Sequence, residues 1–474
     1  MTIAPSGKFE QVPGDQLRPW YTELNRYHWF VLAVAALGWL FDAMDQQLFV
    51  LARTPALTEL LGKDADITRY GGYATTILIL GWATGGLVFG MFGDRWGRAR
   101  TMMITILIYS IFTGMSGLAV SWWDFACYRF LTGLGVGGEF AAGVSLVAEV
   151  MPSRARPFAL GLLQALSAVG NIIAAGISFL LPPQMEFQGV EGWRLLFMVG
   201  ILPSLLVIVI RSKLKEPEAW MRAKQAAVAA GTHPDEAHQQ LGDLRELLGD
   251  RRWRFHTLIG AALATTGVIA LWGVGFWTPE LVRNHVLQGT SKANQDWFAS
   301  MTMLLQNVGA FFGMYVFSRI TAIVGRRMAF AISFMLGWAS IVMVFGFMTE
   351  ESQILWMIPL LGFSTLMAFG GYAIYFPELF PTRLRSTGTG ICYNGARYIA
   401  AAAPFMLGTL SVWYLDAHNA ERAAQKLSSL TLLSSLGGAD NAFRYAALTV
   451  GTIYALGILV LPFCPETRDK PLSE

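Results

Sequence analysis

RFLTGLGVGGEFAAGVSLVAEVMPSRARPFALG, residues 129–161, opens as an apolar, glycine-rich helix with one carboxylate, Glu139, at its middle. It closes in a compact polar turn, Glu149-Val-Met-Pro152-Ser-Arg154-Ala-Arg156, followed by Gly161. The pattern returns as Glu378-Leu-Phe-Pro381-Thr-Arg383-Leu-Arg385 with Gly390, every matched residue displaced by the same interval of about half the chain. A duplicated unit of apolar helix, basic turn and helix predicts a carrier built from two membrane bundles.

Composition agrees. Of 474 residues, 54% are hydrophobic and only 14% charged, with a mean hydropathy of +0.46, whereas soluble domains carry roughly a quarter charged residues. The chain is read as a membrane protein. Cys127, Cys392 and Cys464 lie in or beside apolar segments without metal-ligand spacing, so neither a disulfide framework nor a metal site is expected. Nothing points to a cofactor or to nucleic acid. Residues 1–28 are polar and lack the short apolar core of a cleaved signal peptide.

A helix needs about 20 residues to cross a hydrocarbon core of roughly 30 Å. Twelve segments meet that length, near 29–51, 70–92, 101–120, 124–148, 157–181, 194–211, 256–282, 298–320, 328–348, 353–377, 386–413 and 443–463. Their apolar runs are continuous rather than alternating, which excludes a β-barrel. The expected fold is an all-α membrane protein with twelve transmembrane helices in two pseudo-symmetric six-helix bundles. The domains are a tail over 1–28, a bundle over 29–211, a linker over 212–255, a bundle over 256–465 and a tail over 466–474. In the linker, EPEAWMRAKQAA and PDEAHQQLGDLRELLGDRRWR read as short amphipathic surface helices. Asp416 to Asn441 reads as a long loop on the other side. Lys and Arg gather in the first tail and in the loops after even-numbered segments, among them Arg95, Arg98, Arg154, Arg252, Arg327 and Arg383. The positive-inside rule then places both termini in the cytoplasm, as expected of a multi-pass protein of the inner (plasma) membrane.

The second segment ends in Gly93-Asp94-Arg95-Trp96-Gly97-Arg98. A carboxylate there, at the inner edge of one bundle, favours the positive N-terminal end of a facing helix and pairs with arginines, so it can latch one closed state. The matching turn, Ala322-Ile-Val-Gly325-Arg326-Arg327, has Ala in place of the acid, which predicts a stronger latch on the N-terminal half.

Gly93-Asp94-Arg95-x-Gly97-Arg98, the duplicated Glu-x-x-Pro-Ser/Thr-Arg-x-Arg turn and the closing Pro465-Glu466-Thr467 together resemble the major facilitator superfamily over about residues 29–468. Arg129-x-x-x-Gly133-x-Gly135-x-Gly137-Gly138-Glu139 and Pro377-Glu378-Leu-Phe-Pro381-Thr-Arg383 are similar to the branch that holds sugar porters, organic-ion transporters and aromatic-acid:proton symporters. The resemblance implies alternating access, with Asp94, Arg95, Arg98, Glu149, Arg154, Glu378 and Arg383 as gating residues. The run Gly135-Val-Gly137-Gly138 lies inside an apolar helix with no adjacent strand, so it reads as close helix packing rather than a nucleotide loop.

Each ionisable residue inside a membrane costs roughly 2.5–3.5 kcal/mol on insertion scales and persists only with a use or a partner. Asp42, Asp45 and Gln46 fall along one face of the first helix, which must point into the bundle. The two acids, Asp42 and Asp45, are candidates for carrying protons, or else for an internal salt bridge or a helix-end cap. Rise per residue puts Arg129 at the depth of Asp45, and the pair resembles the proton switch of sugar porters. Glu139 is a further proton candidate, or a structural acid. Arg397, near the centre of the eleventh segment, suits bidentate capture of a carboxylate, or else pairs internally with Glu139, Asp42 or Asp45.

Mid-helix position nominates Gln164, Asn171, Trp272, Gln306, Asn307, Tyr372, Tyr375 and Asn394 as further lining of a substrate site, with Trp277 as another flat wall. Sugar porters carry paired glutamines on the seventh helix; this chain has Ala264-Thr265-Thr266-Gly267, which argues against a sugar. The sequence is therefore read as a monomeric secondary transporter that moves a small organic anion together with protons across the lipid bilayer. A facilitator, a drug exporter and a non-transporting receptor are the alternatives. No buried Ser-His, Cys-His or metal constellation suggests an enzyme.

Overall fold

The computed structural model describes residues 19–62, 65–230, 241–401, 403–423 and 441–472. The N-terminal bundle comprises α1 (Arg26–Leu61), α2 (Ile67–Arg95), α3 (Arg98–Ser116), α4 (Trp122–Val150), α5 (Arg156–Leu180), α6 (Gly192–Val199) and α7 (Ser204–Lys213). The linker contributes α8 (Glu218–Ala230) and α9 (Leu244–Gly249). The C-terminal bundle comprises α10 (Arg251–Gly273), α11 (Lys292–Val324), α12 (Arg326–Ile341), α13 (Glu351–Leu379), α14 (Arg385–Ala400), α15 (Ala403–Ala423), α16 (Ala442–Gly451) and α17 (Ile453–Val460). The only strands among the described residues, β1 (Glu186–Phe187) and β2 (Val190–Glu191), form a small hairpin between α5 and α6. Its turn uses the positive φ of Gln188 and Gly189.

Among the described residues, eleven helical spans are long and apolar enough to cross a membrane. The expected segment at 386–413 is the exception, since it is divided between α14 and α15. Ser386, Thr387, Gly388, Thr389, Gly390 and Asn394 make α14 polar and buried between the bundles rather than lipid-facing. The sixth segment is likewise broken into α6 and α7 around Gly200 and Pro203. The expected loop at 416–441 begins later than the sequence suggests, because α15 runs on to Ala423. In the linker, EPEAWMRAKQAA is helical from Glu218. The second amphipathic piece is not one helix: α9 ends at Gly249 and α10 begins at Arg251 after the Asp250 cap. Residues 1–18, 234–240, 424–440 and 473–474, which complete these expectations, lie outside the described residues.

Glycines of the opening stretch let α4 and α2 touch backbone to backbone. A methyl group at Gly137 would lie 2.0 Å from the carbonyl oxygen of Trp82. In the other bundle the same intimacy joins α11 to α13, where a methyl group at Gly309 would lie 1.8 Å from the Pro359 carbonyl. Helix starts are capped by Asn25, Asp66, Ser121, Ser291 and Asn441, whose side chains accept first-turn N–H groups.

The repeat is deeper than its motifs. Arg194, at the start of α6, donates to the carbonyls of Gly117 and Ala119 at the end of α3, at 3.0 and 2.9 Å. Arg444, at the start of α16, donates to Phe345 and Met348 just beyond α12, at 3.1 and 2.8 Å. At the opposite ends of the same helices, Glu216 accepts the N–H groups of Arg98, Ala99 and Arg100, and Glu466 accepts those of Arg326 and Arg327. Each bundle thus holds its third helix at both ends, with a cation on the carbonyl end and an anion on the N–H end. Burial pushes Glu216 above its ordinary carboxylate range. Burial works against the charge of Glu466 too, but the backbone donors of Arg326, Arg468 and Arg327 outweigh it and hold that carboxyl below the range.

Candidate functional site

The two bundles meet where α2 packs on α14 and α5 packs on α11, and between them lies a cavity of about 150 Å³. Six residues nominated from sequence line it: Gln164, Asn171, Trp272, Gln306, Asn307 and Arg397. Asn171 Nδ2 donates to Asn307 Oδ1 at 2.7 Å, a bond that crosses from one bundle to the other. Gln46, on the inward face expected for the first helix, also lines the cavity, as do Trp39, Gln47, Trp82, Phe369 and Tyr393, which were not anticipated there.

Tyr372, Tyr375 and Asn394 are placed elsewhere. The Tyr372 hydroxyl donates to the Leu263 carbonyl at 2.6 Å, and that of Tyr375 to the Pro465 carbonyl at 2.8 Å. Both rings pack on Phe330 inside the C-terminal bundle, because the face of α13 that carries them turns toward α12 rather than the cavity. Asn394 sits in the seam between bundles, giving Nδ2 to the Gly137 carbonyl at 3.3 Å and accepting from Arg397 at 3.2 Å. Trp277 is not on the cavity wall either; its ring meets Phe443 edge-on.

Arg397 is 2% exposed. Its Nη1 donates to the Tyr393 carbonyl at 2.7 Å and to Asn394 Oδ1. One face of the guanidinium lies 3.9 Å from the Trp82 ring and 4.3 Å separates it from the Tyr393 ring. Among the described residues no carboxylate lies within ion-pair distance of it, so the internal pairing with Glu139, Asp42 or Asp45 is not formed in this structure. Nε has no protein acceptor. The charge is held at one corner and stacked on its faces, with Nε buried and unpaired.

Asp45 and Arg129 do meet, with Oδ2 and Nη1 3.8 Å apart and both side chains buried. Neither Asp45 oxygen receives a hydrogen bond. Arg129 instead gives Nε and Nη2 to Ser116 Oγ at 3.0 and 2.6 Å, and lies over the Phe197 ring at 4.7 Å. One helical turn away, the carboxyls of Asp42 and Glu139 face each other, and no other protein group donates to either. Glu139 reaches this place because residue 38 is glycine: a methyl group there would lie 1.7 Å from Glu139 Oε1. Of these three buried carboxyls, only Asp45 has a guanidinium within ion-pair distance.

The basic end is sealed by a network that spans both bundles. Asp94 accepts from the backbone N–H of Ser386 and Thr387 at 3.1 and 2.8 Å and from the Thr387 hydroxyl at 2.6 Å, which caps α14 from the opposite bundle. Arg98 pairs with Asp94 at 3.0 Å and with Glu149 at 2.8 Å, and donates across the seam to the Thr382 carbonyl at 2.7 Å. Glu149 also holds Arg385 at 2.7 Å. The C-terminal counterpart, Glu378 with Arg326 at 2.8 Å, stays within its own bundle and takes the Thr467 hydroxyl as a third donor. Arg95 donates to the Leu241 carbonyl of the linker and Arg383 pairs with Glu246 on α9 at 2.6 Å. Arg154 pairs with Glu23 at 2.9 Å at the surface, apart from the seam. Arg385 and Glu216 belong to this network and were not nominated; the repeated second arginine of the basic turn and the Glu-Pro start of the linker were their signals.

Residues 35–404 match the family model described as Major Facilitator Superfamily. The chain is 30% identical over 378 residues to a probable 4-methylmuconolactone transporter of Cupriavidus pinatubonensis, covering 79% of this chain and 82% of that protein. It is 29% identical over 382 residues to a cis,cis-muconate transport protein of Acinetobacter baylyi, covering 81% and 87%. Among solved structures, the proton:xylose symporter XylE bound to 6-bromo-6-deoxy-D-glucose shares the fold, with a TM-score of 0.69 at 18% identity over 94% of this chain and 98% of that one. A cavity between two pseudo-symmetric bundles, a seam latched by a helix-capping aspartate and these matches lead to one conclusion: the chain belongs to the major facilitator superfamily.

Proposed function

We propose that this protein carries a small organic anion across the membrane together with protons, by alternating access of its two bundles. The observation that carries the reading is Arg397, a buried permanent cation on the cavity wall with no carboxylate partner among the described residues. A guanidinium held at Nη1, with Nε unpaired, is suited to a carboxylate that arrives from solution. The relatives named for muconate and methylmuconolactone transport support an organic acid as the cargo.

The acids of the N-terminal bundle supply the proton sites. Burying Asp42, Asp45 and Glu139 with only Arg129 as counter-charge is costly while all three are ionised. Protonating Asp45 frees Arg129 to rest on Ser116 and the Phe197 ring; losing that proton draws the two together and couples charge to the packing of α1 on α4. The structure has its basic end sealed, which this reading assigns to the cytoplasmic side with both termini inside. Opening there requires Asp94 to release α14 and Glu149 to release Arg385.

The test is uptake of labelled carboxylates into proteoliposomes holding the purified protein, with and without an imposed pH gradient. Gradient-driven accumulation that collapses with a protonophore is expected. Uptake indifferent to the gradient removes the proton coupling, and failure to take up any carboxylate removes the anion.

A further inference from the structure

Arg251, Arg252 and Arg254 open α10, the first membrane-spanning helix of the C-terminal bundle, and all three side chains are exposed. Among the described residues none of them has a carboxylate within ion-pair distance, whereas Arg98, Arg326, Arg383 and Arg385 at the same end of the molecule each hold one. The helix does not reward them either. Cations in a first turn oppose the macrodipole, and the N–H groups of Arg252 and Trp253 are already taken by Asp250 Oδ1 at 2.8 and 3.2 Å. Arg252 rests over the Trp253 ring at 4.5 Å, which fixes its stem and leaves its charge at the surface.

Arg251, Arg254, Phe255 and Leu258 recur at intervals of three and four, so they share one face of α10. Trp253, Thr257, Ile259 and Gly260 turn the other way, into the bundle. Phe255 is 46% exposed and Leu258 63%, and with Asp250, Arg251, Arg252 and Arg254 they line one open groove. The rise along a helix sets Leu258 about 10 Å below Arg251, toward the middle of the membrane. The groove therefore has a cationic rim and an apolar floor.

We propose that this groove binds an anionic phospholipid of the leaflet at the basic end, with its phosphate on Arg251 and Arg254 and an acyl chain along Phe255 and Leu258. The chemistry of the two levels selects that ligand. Guanidinium donors match phosphate oxygens in geometry and charge, and the apolar floor takes a tail that a free phosphate lacks. Asp250 offsets one of the three positive charges, and the rim stays cationic. A zwitterionic lipid brings its own ammonium, which the remaining charge repels, so a headgroup of net negative charge is preferred. The site lies at the joint of α9 and α10, so a bound lipid braces the point where the linker enters the C-terminal bundle. It stands apart from the cavity between the bundles and is independent of the cargo.

Native mass spectrometry of the purified full chain in detergent tests this, with phosphatidylglycerol against phosphatidylcholine of the same acyl chains. Wild type is expected to take its first phosphatidylglycerol about tenfold or more tightly, the scale of a few interfacial charge contacts. Changing Arg251, Arg252 and Arg254 together to Gln should remove most of that preference and leave phosphatidylcholine affinity within about threefold. Changing Arg211, Lys213 and Lys215 together to Gln deletes the same charge elsewhere on this exposed end, and should keep the preference within about threefold of wild type. Phe255→Ala with Leu258→Ala should weaken phosphatidylglycerol by about threefold or more through lost apolar contact. Glycerol 1-phosphate, a headgroup without tails, should not displace the lipid. Melting curves like that of wild type show that each variant is folded. If the α10 triple variant keeps the wild-type preference, if the control triple variant loses it equally, or if wild type does not tell the two lipids apart, the site is wrong. Displacement by glycerol 1-phosphate makes it a site for a soluble anion and contradicts the lipid.

Discussion

Asp94 of the N-terminal bundle and Thr387 of the C-terminal bundle are joined twice, by backbone N–H at 2.8 Å and by hydroxyl at 2.6 Å, so one carboxylate caps a helix it does not belong to. Such a bond holds only while the basic ends are together. Asp94→Asn keeps the shape but weakens the charge-assisted bonds, each of which is worth about 1.5–3 kcal/mol. Transport should slow by about tenfold while substrate affinity changes by less than about threefold, because the latch sets the balance of states rather than the site. Initial rates and binding measured on the same preparation check this; a variant that transports at the wild-type rate contradicts it.

Glu149 holds Arg98 and Arg385 with no exposure of any of the three side chains. Glu149→Gln leaves that charge arrangement broken in a buried place, a loss of about 3 kcal/mol or more. The apparent melting temperature in detergent should fall clearly. Arg154→Ala provides the contrast, since its pair with Glu23 is about one-third exposed and such surface pairs contribute about 0–1 kcal/mol. Equal shifts for the two changes would contradict the assigned burial.

The position of Asp94 at the seam and the Asp45–Arg129 encounter were legible because they follow from one-dimensional quantities, motif recurrence and depth along a helix. The rotation of a helix about its axis is not so readable in an apolar segment. α13 is buried almost continuously from Leu361 to Leu379, so mid-membrane position alone could not tell that Tyr372 and Tyr375 face Phe330 while Phe369 faces the cavity. Asp42 and Glu139 come together through Gly38, a residue whose lack of a side chain carries no signal until the partner helix is in place. Trp39 and Trp82 read as ordinary apolar content for the same reason. α14 shows the reverse case: its glycines and hydroxyls lowered its apolar signal because it serves the seam between bundles.

Glu466 contributes stability through its ionised form. Its folded pKa lies below the ordinary 4.5 because backbone donors of Arg326, Arg468 and Arg327 outweigh the cost of burial. The sign follows from linkage: the contribution is complete above the ordinary value and is lost as pH falls through the lower folded value. Melting curves of wild type and Glu466→Gln should therefore differ most at neutral pH and converge in acid. A gap that widens on acidification contradicts the capping role.

Orientation has its own check. Arg251, at the basic end, and Trp297, on α11 near the other end, are both on the surface. Single cysteines at these positions, in a background lacking Cys127, Cys392 and Cys464, should react with an impermeant reagent from opposite sides, with position 251 protected in intact cells. Labelling of both from outside contradicts the proposed topology.

The central claim is that Asp45 handles the proton and Arg397 the anion, and counterflow compared with gradient-driven uptake separates the two most directly. Exchange of labelled for unlabelled substrate needs rocking of the loaded carrier but no proton release, so Asp45→Asn should exchange at a rate within about threefold of wild type while losing uphill, pH-driven accumulation. Arg397→Lys should lose both, because an ammonium keeps the charge without the paired-donor edge. An Asp45→Asn protein that still concentrates substrate, or an Arg397→Lys protein that exchanges like wild type, contradicts the account.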